Sequence, residues 1–235
     1  MATRAELQAA LTEAEQMVNS RAYSDELRDQ KEQELALLKD RLEFGDFRVG
    51  DQLQIVMSVP VAPGQAPING LYTIGPGQML ELPGLPAISM AGVLRSEAET
   101  HLSEQFARLF KDQTVQVTPL VRLSLLGGVG NPGFYQVPAD LPLPEVIMLA
   151  GGPVSNVEYE RSEIRRGGEE IWEGEEVALA IQQGATPDQL NLRAGDELEV
   201  GAAPTRNWLQ TLRTFAIIPG LILSFYGLGR LAGIF

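Results

Sequence analysis

A short stretch that occurs twice in this 235-residue chain decides much of its fold. The first copy is Phe47-Arg-Val-Gly-Asp-Gln-Leu-Gln-Ile55 and the second is Leu192-Arg-Ala-Gly-Asp-Glu-Leu-Glu-Val200, with Arg, Gly, Asp and Leu identical. Glycine adopts a positive φ without steric cost, and an aspartate side chain accepts hydrogen bonds from turn amides. Apolar and polar residues then alternate, as in a half-buried strand. Each copy therefore predicts a tight turn followed by a β-strand, and alone indicates no active site.

The composition limits the chemistry that the chain can perform. It has no cysteine, one histidine (His101) and a net charge of -13. The lack of cysteine excludes a Cys-rich zinc site, a thiol nucleophile and a lipid attached through cysteine. The acidic balance argues against a protein that tracks nucleic-acid phosphates, because no surplus of Lys and Arg exists. We expect no catalytic residue, cofactor, metal or nucleic-acid partner.

The first 43 residues contain neither Gly nor Pro and have helical periodicity. Thr3 and Glu6 have the spacing of a capping box, and Ser24 is suited to cap a second helix after Asn19-Ser20. We predict a helical hairpin or a broken helix with one narrow apolar stripe. This segment either packs on its own domain or forms a coiled-coil-like contact between subunits.

Short strands and turns dominate the rest of the chain as far as residue 200. Strands are predicted at 51–59, 71–74, 79–82, 121–126, 134–137, 158–164, 169–172 and 195–200, with another starting near 115. Helices are predicted at 96–110, capped by Ser96, at 143–150, ended by Gly151-Gly152, and at 175–183. The chain is therefore α+β, with a helical segment (1–43), a β-rich domain (44–119), a second β module (120–200), a linker (201–206) and a C-terminal segment (207–235).

The C-terminal segment contains sixteen uncharged residues between Arg213 and Arg230. As a helix, 208–235 is long enough to cross a bilayer core of roughly 30 Å. The alternative is a buried core helix. We predict a membrane helix, whose anchoring and spanning residues are Trp208, Arg213, Phe215, Pro219, Leu223, Tyr226, Arg230 and Phe235.

The ordered set of motifs between 44 and 152 resembles the polysaccharide biosynthesis/export family, the outer-membrane polysaccharide export proteins. The resemblance rests on 47–53, on Gly70-Leu-Tyr-Thr-Ile74 and on Gly77-Gln-Met-Leu-Glu-Leu-Pro-Gly-Leu85. Residues 123–137 and 145–152, with the closing 192–198, resemble the soluble-ligand-binding β-grasp (SLBB) module. The motif residues with structural roles are Gly50, Asp51, Gly77, Asn131, Pro132, Gly133, Gly151, Gly152, Gly195 and Asp196.

The resemblance implies a non-enzymatic ring of identical subunits in the periplasm, whose C-terminal helices cross the outer membrane. A capsular or exopolysaccharide from an inner-membrane synthesis and co-polymerase complex would leave through the ring. No secretory signal is present in this chain, so we presume one to have been removed. The alternative is an envelope scaffold or filament built from the same modules without an open channel.

Two other sets of residues are candidates for a function. The pairs Glu169/Glu170 and Glu175/Glu176 suggest a carbohydrate-acting enzyme, but adjacent residues on a strand point in opposite directions, so a solvated hairpin is the favoured interpretation. The aromatic residues Tyr72, Tyr135 and Trp172 either stack on sugar rings or pack in the core, and the core is favoured.

Overall fold

The computed structural model describes residues 1–20, 24–57, 68–108 and 115–203. The helices in this part are α1 (Arg4–Asn19), α2 (Asp25–Phe44), α3 (Ala98–Ala107), α4 (Leu143–Leu149) and α5 (Gly174–Gln182). The strands are β1 (Gln52–Met57), β2 (Asn69–Gly75), β3 (Met79–Leu80), β4 (Ile88–Ser89), β5 (Val115–Gly127), β6 (Gly133–Pro138), β7 (Glu163–Arg166), β8 (Glu169–Glu173) and β9 (Glu197–Val200). Residues 1–202 form one compact unit.

A single mixed sheet contains all nine strands, and β5 is its longest member. The strand order is β4-β3-β2-β1-β5-β9-β7-β8, with β6 also paired to β5. The β5–β9 pair is parallel and the other pairs are antiparallel. The sequence predicted two strands where β5 is continuous. The strand passes through Pro119, which donates no hydrogen bond but accepts one through its carbonyl from the Ala139 amide at 3.0 Å.

The core on the inner side of the sheet consists of two apolar clusters. The first lies under β1–β4 and the start of β5 and is covered by α3, with Leu53, Ile74 and Phe106 among its buried members. The second lies under the rest of β5 with β6, β7 and β9 and contains residues of α4 and α5, such as Ile147 and Ile181. Because β5 contributes to both clusters, the two halves of the molecule share one continuous strand.

The helices α1 and α2 form an antiparallel hairpin that packs on its own chain. The capping box of Thr3 and Glu6 is confirmed, and Ser24 caps α2 through the Leu27 amide at 3.3 Å. Leu7 and Leu38 pack with the fully buried Leu94, which precedes α3. The first of the two alternatives for this segment is therefore the one that the structure shows.

The predicted cap of α3 is wrong in detail. The helix begins at Ala98, after one 3₁₀ turn, and the Leu94 amide donates to the Glu97 carboxylate at 3.1 Å. The hydroxyl of Ser96 instead donates to the Ala2 carbonyl at 2.8 Å. The Ser96 side chain, which local spacing assigned to the helix cap, therefore binds the distant start of the chain instead.

The predicted fold class needs one correction. The α+β part is right, but the C-terminal transmembrane helix is not supported: within residues 1–20, 24–57, 68–108 and 115–203, no helix has the length and apolar character needed to span a bilayer. Residues 204–235 lie outside the described residues, and with them the predicted spanning set Trp208, Arg213, Phe215, Pro219, Leu223, Tyr226, Arg230 and Phe235.

Candidate functional site: two turn motifs and an open sheet face

The two copies of the repeated stretch adopt the same turn. In the first, the Asp51 carboxylate accepts from the Arg48 amide at 2.7 Å, and Gly50 has φ of 98°. In the second, the Asp196 carboxylate accepts from the Arg193 amide at 2.8 Å, and Gly195 has φ of 95°. In each copy the aspartate amide also donates to the arginine carbonyl, at 3.1 Å. The predicted turn-then-strand structure is confirmed in both, and these four motif residues have structural roles.

The strands that follow the two turns begin next to each other on β5. At Leu120, β5 pairs with both Gln52 of β1 and Pro138 of β6, and at Ser124 it pairs with both Phe134 of β6 and Glu197 of β9. Because a strand has two edges, β1 and β9 must share the edge opposite β6. β1 runs antiparallel to β5 and β9 parallel, so the two turns lie back to back at its centre.

One carboxylate on α2 joins the two turns. Asp40 accepts from the Arg48 guanidinium at 2.8 Å and from the Arg193 guanidinium at 3.2 Å. These are the equivalent arginines of the two motif copies. The helical hairpin therefore contacts both halves of the sheet through the repeated residues.

A buried ionic cluster lies beside this contact and consists of Arg41, Asp46, Arg95 and Asp188. Arg41 binds Asp46 at 2.6 Å and Asp188 at 3.0 Å, and Arg95 lies 3.5 Å from the same Asp188 oxygen. Asp188 also accepts from the Ala2 amide at 2.7 Å. This carboxylate therefore connects the start of the chain, α2 and the segment before α3.

Burial and pairing oppose each other at Asp46 and Arg41. Burial alone raises the pKa of an aspartate, but the hydrogen bonds and charge of Arg41 outweigh it and lower the pKa of Asp46. In the same way, burial lowers the pKa of Arg41 while Asp46 and Asp188 raise it, and the net direction is upward. Both groups stay charged because each neutralises the other.

The remaining glycine-rich motifs are explained by close backbone packing. The amides of Gly130 and Asn131 donate to the carbonyls of Gly152 and Ala150 at 2.9 and 2.7 Å. A Cβ on Gly151 would lie 2.5 Å from the Asn131 side-chain nitrogen. The loop that contains Asn131, Pro132 and Gly133 thus lies against Gly151 and Gly152 after α4.

Gly77 has a separate role from this loop. It lies in the short 3₁₀ turn between β2 and β3, with φ of 70°. That conformation favours glycine, so the residue forms the turn.

The outer side of the sheet carries two surfaces of different chemistry. We call the first the amide face. It consists of alternate residues of β2, β1, β5 and β6: Asn69, Leu71, Thr73, Gln52, Gln54, Val56, Gln116, Thr118, Leu120, Arg122, Phe134 and Gln136. Its side chains are exposed or half-buried, and none is a carboxylate. A chain with 31 acidic residues therefore leaves four neighbouring strands free of them on this side.

The second surface, the acidic face, lies on β7, β8 and β9. Its members are Glu163, Arg165, Glu170, Glu173, Glu197 and Glu199. Partial desolvation, a hydrogen bond to Glu173 and the charges of its neighbours raise the pKa of Glu170. Arg165 contacts Glu163 at 2.5 Å and Glu199 at 3.9 Å, so a single cation is shared among several carboxylates.

The predicted aromatic candidates lie on the core side. Tyr72 packs on the first apolar cluster, and Tyr135 and Trp172 pack on the second. An aromatic residue exposed on the amide face is Phe134, which is 71% exposed and lies with its ring centroid 4.7 Å from the Arg122 guanidinium carbon. Phe134 is not among the candidates predicted from the sequence, although strand alternation indicates it: if Tyr135 points inward, Phe134 points outward.

The acidic pairs do not converge on one another. Glu169 and Glu170 lie on β8, whereas Glu175 and Glu176 lie in the first turn of α5. Within the described part of the chain, no group of three or more His, Asp or Glu side chains is arranged to hold a metal ion.

His101 lines a shallow pocket of about 300 Å³ with Ser89, Gln105 and Arg108. Its Nε2 lies 2.8 Å from the Ser89 carbonyl oxygen. This contact holds the ring against β4.

Comparison with known proteins identifies one part of this architecture. The comparison with curated proteins gives no match to the chain. Residues 122–177, from the middle of β5 to the first half of α5, match the model of the SLBB domain. The structural unit extends further, since β9 pairs with both β5 and β7. The comparison therefore supports an SLBB domain at residues 122–177.

Proposed function

We propose that this chain is a non-enzymatic component of a polysaccharide export system, which assembles with copies of itself into a ring in the periplasm at the outer membrane. The observation that carries the proposal is the SLBB match over 122–177, because SLBB domains are found in polysaccharide export or transport proteins. The export-family motifs at 47–53, 70–74 and 77–85 support it from the other half of the sheet.

The architecture suits a structural role. Equivalent turns join both halves of the sheet to one helical hairpin through Asp40, Arg48 and Arg193. A rigid subunit of this kind can carry an identical contact around a closed ring. Within the described residues, β6 pairs with β5 on one side, and its other edge has no strand partner. A free edge of this type is available for contact with a neighbouring subunit.

In this role the polymer is a passing cargo. A capsular or exopolysaccharide would be handed over by an inner-membrane synthesis and co-polymerase complex and conducted outward without chemical change. Conduction requires no general acid, no general base and no cofactor from this chain.

The proposal is tested by deleting the gene in its source organism and measuring polysaccharide in the medium and in the cells. We expect released polysaccharide to fall at least tenfold and to be restored by the full-length chain. Unchanged release would overturn the proposal.

Assembly is tested separately on the full chain by light scattering and negative-stain imaging. The subunit mass is 25.6 kDa, and a ring gives a discrete multiple of it. Open fibres together with normal release would instead identify an envelope scaffold without a channel, and a stable monomer would exclude both assemblies.

A further inference from the structure

We infer that the amide face is a binding surface for an uncharged polysaccharide chain. The inference deepens the proposed function and rests on it. Nothing in the repeated turns or the SLBB match points to this surface, which emerges only when the register of β2, β1, β5 and β6 is known.

The hydrogen-bonding groups of the amide face match those of a sugar. A primary amide offers two donors and an acceptor, and a hydroxyl both donates and accepts. Gln52 donates to the Thr73 hydroxyl at 3.2 Å and accepts from Gln136. These contacts connect side chains from β2, β1 and β6 into a track that crosses the strands. Neighbouring strands are about 4.8 Å apart, so Thr73 and Gln52 lie on adjacent strands at that spacing, whereas Gln52 and Gln136 meet across β5, where Leu120 is opposite Gln52.

Two exposed apolar side chains complete the surface, beside the half-buried Val56 and Leu120. Phe134 is 71% exposed on β6, and Leu71 is 53% exposed on β2. An exposed ring beside polar groups presents a flat apolar area on which the C–H side of a sugar ring can rest. The guanidinium of Arg122 holds the ring of Phe134 from one side, which limits its rotamers and prepares it for binding.

The distribution of charged side chains favours an uncharged ligand on the amide face. The amide face contains one cation, Arg122, and no carboxylate, whereas the adjoining acidic face carries five glutamates. A polyanion that followed the track would approach those glutamates in a chain of net charge -13. An uncharged chain meets no such repulsion. A protein partner would need a contiguous apolar centre, but the exposed apolar side chains of this face, Leu71 and Phe134, lie on different strands with amides between them, and Val56 and Leu120 are half-buried.

The experiment measures the mobility of the purified full-length chain in native gels cast with polysaccharide from the medium of the source organism. A second series uses the same material after chemical reduction of its carboxyl groups to hydroxyls. We expect retardation in both series, at least as strong after reduction. Phe134→Ala should weaken the apparent affinity about tenfold. Gln54→Ala and Thr118→Ala should each weaken it about threefold.

A matched control comes from α4. Met148 is 65% exposed but lies away from the amide face, so Met148→Ala should leave the retardation unchanged. All four substitutions remove exposed or half-buried groups and preserve charge, so mobility in plain gels and the circular dichroism spectrum should stay as in the wild type.

Four results would overturn the inference: no retardation of the wild type, equal retardation of all variants, retardation lost on carboxyl reduction, or a change of oligomeric mass in Phe134→Ala without loss of polysaccharide binding. The last would identify the amide face as a contact between copies. Normal binding by the chain with normal export in the deletion strain would overturn the proposed function and leave the binding surface standing.

Discussion

The two copies of the repeated turn have the same backbone but different side-chain partners. Asp196 receives two hydrogen bonds from the Arg166 guanidinium, each 2.8 Å long, in addition to the Arg193 amide. Asp51 has the equivalent amide bond from Arg48, and among the residues that the structure describes no guanidinium donates to it. The repeated residues therefore determine the turn, whereas the ionic partner depends on the element that packs above it.

The direction of the pKa shift of Asp51 agrees with this difference in ionic partners. Burial is the largest influence and raises the pKa above its ordinary value, although the Arg48 amide and the charges of Arg95, Arg48 and Arg193 act in the opposite direction. A bidentate guanidinium would have offset the loss of hydration. The first copy therefore contains a carboxylate that is less well compensated than its counterpart.

The largest loss of stability is expected from removing the Asp188 carboxylate, which connects segments next to both copies of the turn. Asp188 is fully buried, binds Arg41 and Arg95, and lies four residues before the second copy. Asp188→Ala leaves two buried guanidiniums with one carboxylate, Asp46, and should lower the free energy of unfolding by about 3–5 kcal/mol. Urea unfolding measures the loss. The exposed Asp140 supplies the control Asp140→Ala, and a loss below about 1 kcal/mol at Asp188 would show that the cluster is unimportant.

The next prediction separates the two copies directly. Asp196→Ala removes a bidentate ion pair and a turn hydrogen bond, whereas Asp51→Ala removes the turn hydrogen bond and a poorly compensated charge. We expect Asp196→Ala to be the more destabilising by about 1–2 kcal/mol, a value reduced because Arg166 is partly exposed and regains water. Arg166→Ala provides the test of cause: in that background the two aspartate substitutions should cost the same.

The pH dependence should distinguish the copies with a smaller effect. Because the folded-state pKa of Asp51 is raised, the folded chain holds this proton more tightly than the unfolded chain does. Ionisation therefore removes stability as the pH rises from the ordinary value of 3.8 through the raised one. Asp51→Asn cannot ionise, so its stability relative to the wild type should increase over that window and be constant below it. A relative stability that falls with pH would contradict the assignment.

Asp46 should make the opposite contribution to the pH dependence of stability. Its pKa is lowered, so its contribution is present above the ordinary aspartate value and is lost as the pH falls through the lowered one. Asp46→Asn should therefore lose stability relative to the wild type at neutral pH and recover part of it in acid. The same urea titrations, repeated at several pH values, measure both variants.

The local turns and the distant ion pairs differ in how well they can be predicted from the sequence. The turn and the following strand depend on residues within nine positions, so both copies were predicted correctly. The helical hairpin was predicted for the same reason, from Thr3, Glu6 and Ser24. Arg41 and Asp188 are 147 positions apart, and no local pattern announces that they meet.

The amide face shows a second limit of prediction from sequence. Alternation tells which residues of one strand share a side, but the amide face needs four strands in register. The sequence predicted two strands where β5 is continuous, and so it could not place Gln52 of β1 and Gln136 of β6 on either side of one strand. Tyr72 and Tyr135 pack on the core clusters, and the ring exposed on the amide face belongs to Phe134.

The smallest loss of stability is expected from breaking the ion pairs of Asp40, which contacts both copies of the turn. Asp40 is 37% exposed and pairs with Arg48 and Arg193, which are themselves about one-third exposed. Water screens these ion pairs, so Asp40→Ala should cost less than about 1 kcal/mol and should cost still less in high salt. Arg48→Ala also removes hydrogen bonds to the Gly45 and Phe47 carbonyls, at 2.9 and 3.2 Å, so the two contacts are compared in double-mutant cycles with Asp40→Ala, in which the coupling energies of Arg48 and Arg193 should be closely similar. If one arginine accounts for nearly all of the effect, the hairpin is anchored by one half of the sheet, and the apparent equivalence of the two turns does not extend to the helix that contacts them both.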